Sequence, residues 1–159
     1  MRTATVNVYQ FDELSEDAKE IAREWYRNGL EYFWGDDAMN SVADFVRSVG
    51  GTDISEYRIE PFGYSYIDTN ATSKNFRGLK LRDIDRDAMP TGYCIDCTLY
   101  QTFYDVFKRT GDAHEAFVQA LDAAAQEIKT DWEYQYSDEA TDEAMRMNGY
   151  EFTEDGKIY

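Results

Sequence analysis

Proline, cysteine and histidine are all scarce in this chain of 159 residues, and each scarcity excludes a class of protein. Only Pro61 and Pro90 occur, so no linker-like segment divides the sequence and we expect a single acidic domain over residues 1–159. The two cysteines, Cys94 and Cys97, are too few for a secreted disulfide scaffold. No run approaches the roughly 20 apolar residues of a membrane span, and the N-terminus lacks the apolar stretch of a signal peptide. The sequence therefore predicts a cytoplasmic protein.

Positive charge is also in short supply. The chain has 32 acidic against 16 basic residues, which gives a net charge of −16. Residues 111–159 alone contain 13 acids and 3 bases. Because nucleic acids and anionic membranes repel such a chain, we expect it to bind neither directly. Apolar residues at 43% and aromatic residues at 16% nevertheless predict a folded core rather than a disordered acidic chain.

Apolar residues recur at spacings of three and four along several segments, which predicts four or five helices. Ser15 is well placed to cap the first helix, because two acids follow it in the first turn. The predicted helices are Ser15–Leu30, a second from Asp36 or Asp37 to Gly50, a third around residues 99–106 that ends near Gly111, a long fourth over residues 113–132, and a short fifth over Ser137–Asn148. We expect the third and fourth helices to form a helical hairpin.

Alternating apolar and polar residues predict strands at Thr3–Gln10 and within Ile54–Leu81. A turn at Asp155 and Gly156 adds a small strand or hairpin at the C-terminus. The predicted fold class is therefore α+β. We expect a small, mainly antiparallel sheet, built from both termini and the Ile54–Leu81 region, to pack against the helices.

Cys94 and Cys97 have the C-x-x-C spacing that occurs in zinc sites and in dithiol redox sites. A structural zinc ion needs four ligands, and His114 is the only further thiol or imidazole in the chain. Asp96, between the two cysteines, should raise a thiol pKa, which disfavours a reactive thiolate. These residues are therefore weak candidates for a metal site or a nucleophile. We expect no bound metal, no cofactor and no catalytic residue, and hence no enzyme.

Aromatic residues divide into a predicted core and a predicted surface patch. Six aromatic residues lie at helical spacing on two helices, which favours burial: Phe33, Trp34, Tyr100, Phe103, Tyr104 and Phe107. The segment with Trp132, Tyr134 and Tyr136 is different, because its aromatic residues alternate with acids. Aromatic anchors dominate the energetics of protein interfaces, so this segment is a candidate binding patch.

Acidic residues also repeat at helical spacing in the last third of the chain. Three pairs are four residues apart: Glu127 with Asp131, Asp138 with Asp142, and Glu139 with Glu143. Like charges at this spacing cost only about 0.2–0.5 kcal/mol per pair, so they need no functional explanation. A solvated surface accounts for them, and so does adaptation to high salt. A carboxylate array that occupies a basic nucleic-acid-binding groove accounts for them as well.

The two ends of the chain read VNVYQFDELSEDAKEIAREWYR at residues 6–27 and SDEATDEAMRMNGYEFTEDGKIY at residues 137–159. Both segments resemble a widespread family of small, acidic phage- and prophage-encoded proteins. Members are sometimes labelled antitoxin or anti-defence, and many share a central Gly-Asp-Gly segment that this chain lacks. The resemblance implies an accessory phage protein in the cytoplasm of a bacterial host.

These observations lead to the hypothesis of an inhibitor of the anti-CRISPR or antirestriction type, with an acidic face that mimics nucleic acid. Its partner is expected to be a host defence protein with a basic nucleic-acid-binding surface. The predicted contact residues are Glu127, Asp131, Trp132, Tyr134, Tyr136, Asp138, Glu139, Asp142 and Glu143. One alternative is a toxin-neutralising or regulatory module that binds through the aromatic patch. A third hypothesis is an enzyme that uses Cys94, Cys97 and His114.

Overall fold

The structure is a computed structural model that describes Arg2 and residues 5–159. In this part of the chain it has the predicted α+β class, with five helices and four short strands. The helices are α1 (Glu16–Asn28), α2 (Gly35–Gly50), α3 (Ile95–Thr110), α4 (Ala113–Gln135) and α5 (Asp138–Asn148). The strands are β1 (Tyr9–Gln10), β2 (Ile54–Arg58), β3 (Tyr66–Thr69) and β4 (Glu151–Phe152).

The described strands form two separate antiparallel pairs. β1 pairs with β4, and Tyr9 lies opposite Phe152, which confirms that segments from both ends of the chain share a sheet. β2 and β3 form a hairpin in which Tyr57 lies opposite Ile67. The segment from residue 54 to 81 therefore has a sheet of its own, and the prediction that it continues the terminal sheet is wrong.

The predicted strand regions are longer than the observed strands. Of the strand predicted over Thr3–Gln10, only Tyr9–Gln10 pairs, while Thr3 and Ala4 lie outside the described residues. After β3 the chain turns through a short 3₁₀ helix at Ser73–Phe76 instead of continuing as a strand. Alternation of apolar and polar residues thus indicates an extended chain. A strand also needs a second strand to pair with, and the alternation does not show whether one lies beside it.

Local side-chain bonds set the ends of the helices. The Ser15 side chain accepts a hydrogen bond from the Ala18 N–H at 3.3 Å, which confirms the predicted cap of α1. Ser137 does the same for α5, accepting from Ala140 at 3.2 Å.

Between α3 and α4, the Thr98 hydroxyl donates to Glu127. The beginning of α3 therefore lies beside the later part of α4, as the predicted helical hairpin requires.

The chain packs as two compact units: Met1–Tyr32 with Glu133–Tyr159 form unit 1, and Phe33–Trp132 form unit 2. A buried cluster of residues from both ends of the sequence makes the core of unit 1: Phe11, Leu14, Ala18, Ala22, Met145 and Phe152. Residues that are far apart in sequence therefore have to meet for unit 1 to form. That the whole chain folds as one domain stays a prediction.

Phe45 lies at the centre of the core of unit 2. Its ring stacks on Phe117 at a centroid distance of 5.6 Å and meets Tyr100 edge to face at 5.1 Å. Burial of Tyr100 and Phe103 confirms two of the predicted core aromatics. The prediction for Phe33 and Trp34 is wrong, because their exposed fractions are 82% and 52%. Both residues precede α2 in the connection from α1, so no helix directs their side chains inward.

Among the described residues, no helix has the length and apolar character that crossing a membrane requires.

Candidate functional site

A seam of arginine and carboxylate side chains joins α1 to α5 in unit 1. Arg23 donates from Nε and Nη2 to the two carboxylate oxygens of Asp142, at 2.7 and 2.8 Å. One helical turn further, Arg27 donates to Asp138 and, from Nε, to the Tyr136 carbonyl at 2.8 Å. The Arg23 and Asp142 side chains are only 13% and 15% exposed. Their two-pronged geometry and partial burial make this pair stronger than an ordinary surface ion pair.

The seam also affects the pKa of Arg23. The hydrogen bond to Asp142 is the main cause that raises the pKa of the Arg23 guanidinium above its ordinary value, and burial opposes it. Glu20 also accepts from Arg23 and from Arg27, at 3.2 and 3.3 Å. Asp138 and Asp142, two of the predicted partner contacts, thus have intramolecular ion-pair partners, although the Asp138 side chain is 66% exposed. Their role in partner binding stays a prediction.

Besides Glu16, which pairs with Lys19, four exposed carboxylates lie on α1 and α5 outside this seam: Asp17, Glu24, Glu139 and Glu143. We call them the outer carboxylates. Among the described residues none of the four has an ion-pair partner. Glu139 and Glu143 were predicted from their spacing. The two on α1 were missed because the sequence argument concentrated on the last third of the chain.

The two predicted acids of α4 lie in unit 2 and have different surroundings. Glu127 accepts the hydroxyl of Thr98, and both Glu127 and Asp131 are half-buried. Burial is the main cause that raises the pKa of the Cys94 thiol, and the charges of Glu127 and Asp131 add to it. The raised thiol pKa agrees with the sequence argument, although Asp96 is not its cause. The nine predicted contact residues are therefore divided between the two units.

Asp96 instead holds the segment that precedes α3. Its fully buried carboxylate accepts through Oδ2 from the Thr91 N–H and hydroxyl, both at 2.9 Å, and from the Gly92 N–H at 3.0 Å. The Thr91 hydroxyl is also 2.7 Å from the hydroxyl of buried Ser41. The other carboxylate oxygen of Asp96, Oδ1, has no hydrogen-bond partner among the described residues. Asp96 thus acts as a structural link between the loop and α2.

The structure does not bring the cysteine and histidine candidates into one site. The Cys97 thiol lies 3.0 Å from the Met89 sulfur. The His114 ring lies 5.9 Å from the ring of Phe76, at the edge of a pocket of about 300 Å³. No cluster of three or more His, Cys, Asp or Glu side chains in the described part of the chain is placed to hold a metal ion.

Exposed aromatic residues occur in several places, among them the predicted patch and the tip of the β2–β3 hairpin. In the predicted patch, Tyr134 is exposed, whereas Trp132 and Tyr136 are half-buried. At the tip of the β2–β3 hairpin, Phe62 and Tyr64 are 73% and 74% exposed. The sequence argument missed this tip because it attributed the tyrosine and phenylalanine residues of this region to strands.

The hairpin tip has a fixed shape. The Ser65 hydroxyl accepts from the Glu60 N–H at 2.9 Å and so closes the loop. Phe62 has a φ of +59°, a left-handed conformation that a bulky residue adopts only under strain. The loop therefore presents its aromatic side chains from a backbone that hydrogen bonds hold in place.

A pocket of about 350 Å³ lies at the C-terminal end of α1 in unit 1. It is lined by Trp25, Tyr26, Asn28, Gly29 and Tyr150. The ring centroids of Trp25 and Tyr150 are 5.2 Å apart, and those of Tyr26 and Tyr150 are 6.4 Å apart. No sequence pattern indicates this pocket, because Tyr150 lies at the other end of the chain and comes close only through the fold.

Comparison of the chain with protein-family models, with curated proteins and with solved structures gives no significant match.

Proposed function

We propose that this protein is a non-enzymatic inhibitor that binds a basic partner protein through the α1–α5 surface of unit 1. The partner is a host defence protein whose nucleic-acid-binding surface is covered, as in anti-CRISPR or antirestriction inhibition. The setting is the cytoplasm of a bacterial host of the phage that encodes the protein. The observation that carries this proposal is the set of outer carboxylates. They are exposed, and the nearby Arg23 and Arg27 are already paired with Asp142 and Asp138.

The charge of unit 1 supports a basic partner. Its segments contain 15 acidic and 6 basic residues. Arg23 and Arg27 pair with Asp142 and Asp138, so they do little to neutralise the outer carboxylates. A surface of this sign attracts a basic protein over a distance of about one Debye length and orients it on approach.

The spacing of the carboxylates limits how far this surface resembles nucleic acid. Acids four residues apart on a helix are separated by about 6 Å along the axis. A DNA strand carries one phosphate per roughly 3.4 Å. Glu139 and Glu143 on α5 thus present about half the charge density of a strand, and Asp17 and Glu24, seven residues and about 10 Å apart on α1, present about a third. The outer carboxylates are suited to attracting and orienting a basic partner, and tight binding requires additional contacts.

The test is capture of partners from a bacterial host lysate by the tagged full chain and by two charge variants. Glu139→Lys with Glu143→Lys reverses the two outer carboxylates of α5. The matched control, Asp68→Lys with Asp122→Lys, makes the same change of net charge at two exposed acids of unit 2. We expect the parent and the control to capture a nucleic-acid-binding protein, and the α5 variant to lose it.

Salt provides the second readout. An interface that depends on exposed charges weakens steeply as the salt concentration rises. Equal capture by the parent and both variants, or capture that is indifferent to salt, would contradict the proposal. Loss of capture by both variants alike would show a dependence on net charge rather than on α5.

The alternative of a toxin-neutralising or regulatory module is favoured by a different observation, the rigid aromatic tip of the β2–β3 hairpin. Exposed aromatic side chains on a fixed loop are typical anchors of protein interfaces. In that case, Phe62→Asn should abolish capture while the α5 charge variant retains it. Asn suits this test because it tolerates a positive φ better than other L residues.

A further inference from the structure

We propose that Trp25, Tyr26 and Tyr150 form an aromatic cage that binds the guanidinium group of an arginine side chain. The site is the pocket of about 350 Å³ at the end of α1. The proposal rests on the proposed function only for the carrier of the arginine, which is the basic partner protein. The cage would supply the additional contact that the sparse outer carboxylates require.

The three rings line the pocket at steep angles to one another. The interplanar angles are 84° between Trp25 and Tyr150, 59° between Tyr26 and Tyr150, and 61° between Trp25 and Tyr26. Trp25 is 37% exposed, and the two tyrosines are half-buried. A cation within about 6 Å of an aromatic centroid is attracted by the ring quadrupole, most strongly by that of tryptophan. Several tilted rings around one space let a single cation meet more than one ring.

Gly29 keeps this space open. Its φ is −104°, which any L residue adopts, so backbone conformation does not require glycine here. The atom nearest to a Cβ at this position is the Tyr26 carbonyl oxygen, at 3.9 Å. A larger side chain is therefore compatible with the backbone but would reduce the pocket. Asn28, on the lining, adds an amide oxygen of the kind that accepts guanidinium N–H groups.

The charge of unit 1 selects the class of ligand. Its acidic excess repels anions and favours a cation. Elsewhere in the same unit, Lys19, Arg23 and Arg146 all lie 5.6–5.8 Å from the centroid of the Phe11 ring. No basic side chain among the described residues lies over the rings of the cage. The cage is therefore open to a cation from outside the chain.

Arginine fits this site better than lysine. Its guanidinium group is planar and weakly hydrated, so it stacks on aromatic faces and gives up its water more easily than an ammonium group. It is also the cation found most often over aromatic rings in proteins.

The experiment uses the isotopically labelled full chain and follows the indole N–H signals of Trp25, Trp34 and Trp132. The probe is Nα-acetyl-arginine methylamide, and the matched neutral probe is the citrulline analogue. We expect the arginine probe to shift the Trp25 signal in a saturable manner and the citrulline probe to leave it in place. Equal shifts with both probes, or no shift of the Trp25 signal, would overturn the proposal.

Two variants locate the effect. Gly29→Leu fills the pocket and should weaken the arginine response by about threefold or more, the range expected for a cation–π contact. Tyr26→Leu, which removes one ring, should weaken it similarly and serves if the first variant unfolds. Undiminished binding by a folded variant of either kind would overturn the cage.

The cage and the acidic surface can fail separately. Glu139→Lys with Glu143→Lys changes the outer carboxylates of α5 but leaves the cage intact, so its Trp25 signal should still respond to the arginine probe. If this variant loses the response while Gly29→Leu keeps it, the charge binds arginine and the cage does not. If the cage responds in both proteins but neither captures a partner, the inhibitor proposal fails and the cage stands.

Discussion

Gly156 lies where the C-terminal turn approaches α1. Its φ is +82°, and a Cβ at this position would overlap the carbonyl of Ala18. Gly149, at the end of α5, also has a positive φ of +62°, but nothing lies within 4 Å of a Cβ there. The two glycines therefore share a backbone conformation and differ in the space around them.

We expect Gly149→Ala to lower the free energy of unfolding by about 1–2 kcal/mol, the cost of a left-handed L residue. Gly156→Ala should lower it by about 1–3 kcal/mol more, because the backbone near Ala18 must also shift. Urea unfolding of the two variants and the parent measures the difference. Equal losses would mean that the turn moves away from α1 without resistance.

Asp155 provides a prediction about pH. Its hydrogen bonds from Lys157 and then from Thr153 hold the pKa of the carboxyl at about 2. Because the folded pKa is below the ordinary value of roughly 3.9, the ionised form stabilises the turn above that pH. This contribution is lost as the pH falls through about 2.

Lys157→Met should raise the pKa of Asp155 toward its ordinary value of about 3.9, as an NMR titration of the side-chain carboxyl carbon would show. Thr153→Val should raise the pKa less, because the Lys157 bond is the larger cause. An unchanged pKa in the Lys157 variant would show that the ion pair does not form in solution.

For single residues, the sequence predicts those roles that depend on residues a few positions away in the chain. Ser15 and Ser137 are recognisable as helix caps because each bonds to a residue three positions later. Asp96 was interpreted only through the adjacent cysteines, yet its role comes from the loop that folds back over the start of α3. Buried polar residues of this kind cannot be assigned before their partners are known.

The α1–α5 seam joins two secondary-structure elements through paired charges. We expect a double-mutant cycle of Arg23→Met and Asp142→Asn to give a coupling energy of about 1–3 kcal/mol, since the pair is charged, two-pronged and largely buried. The matched control is Arg47 with Asp53, whose side chains are 65% and 82% exposed. Its coupling should be about 0–1 kcal/mol. Similar couplings at both pairs would show that burial adds nothing to the seam.

Helices and strands differ in how far the sequence predicts them. The five helices follow from apolar periodicity, because an amphipathic helix carries its own hydrogen bonds. Pairing of β2 with β3, instead of with the terminal strands, depends on contacts that no local pattern records. Phe33 and Trp34 illustrate the same limit, because their spacing suggested a helix that begins only after them. The rings of the proposed cage likewise come from α1 and from Tyr150, so only the fold brings them together.

At the scale of the whole molecule, composition predicts the sign of a partner's charge but not which carboxylates meet it. The net charge of −16 was evident from the sequence. The structure divides the predicted acids into those held internally, such as Asp142 and Glu127, and those exposed on α5. This division depends on where Arg23 and Thr98 lie, and hence on tertiary contacts. The most informative charge variant is therefore one that changes Glu139 and Glu143.

The same net charge predicts how stability depends on salt. A charge of −16 on a folded chain of this size produces self-repulsion, which destabilises the folded state. Raising the ionic strength from about 0.01 M to 0.15 M shortens the Debye length from roughly 30 Å to 8 Å. The thermal midpoint should therefore rise over this range. Salt weakens the ion pair of Arg23 and Asp142 only slightly, because a largely buried pair is screened less than exposed charges. The pair therefore offsets little of the rise in the thermal midpoint.

A charge variant isolates the cause of this salt effect. Glu139→Lys with Glu143→Lys reduces the magnitude of the net charge by four, so its midpoint should start higher at low salt and rise less. Calorimetry of both proteins across the salt series measures the two slopes. A midpoint that falls with salt in the parent would mean that exposed ion pairs outweigh self-repulsion.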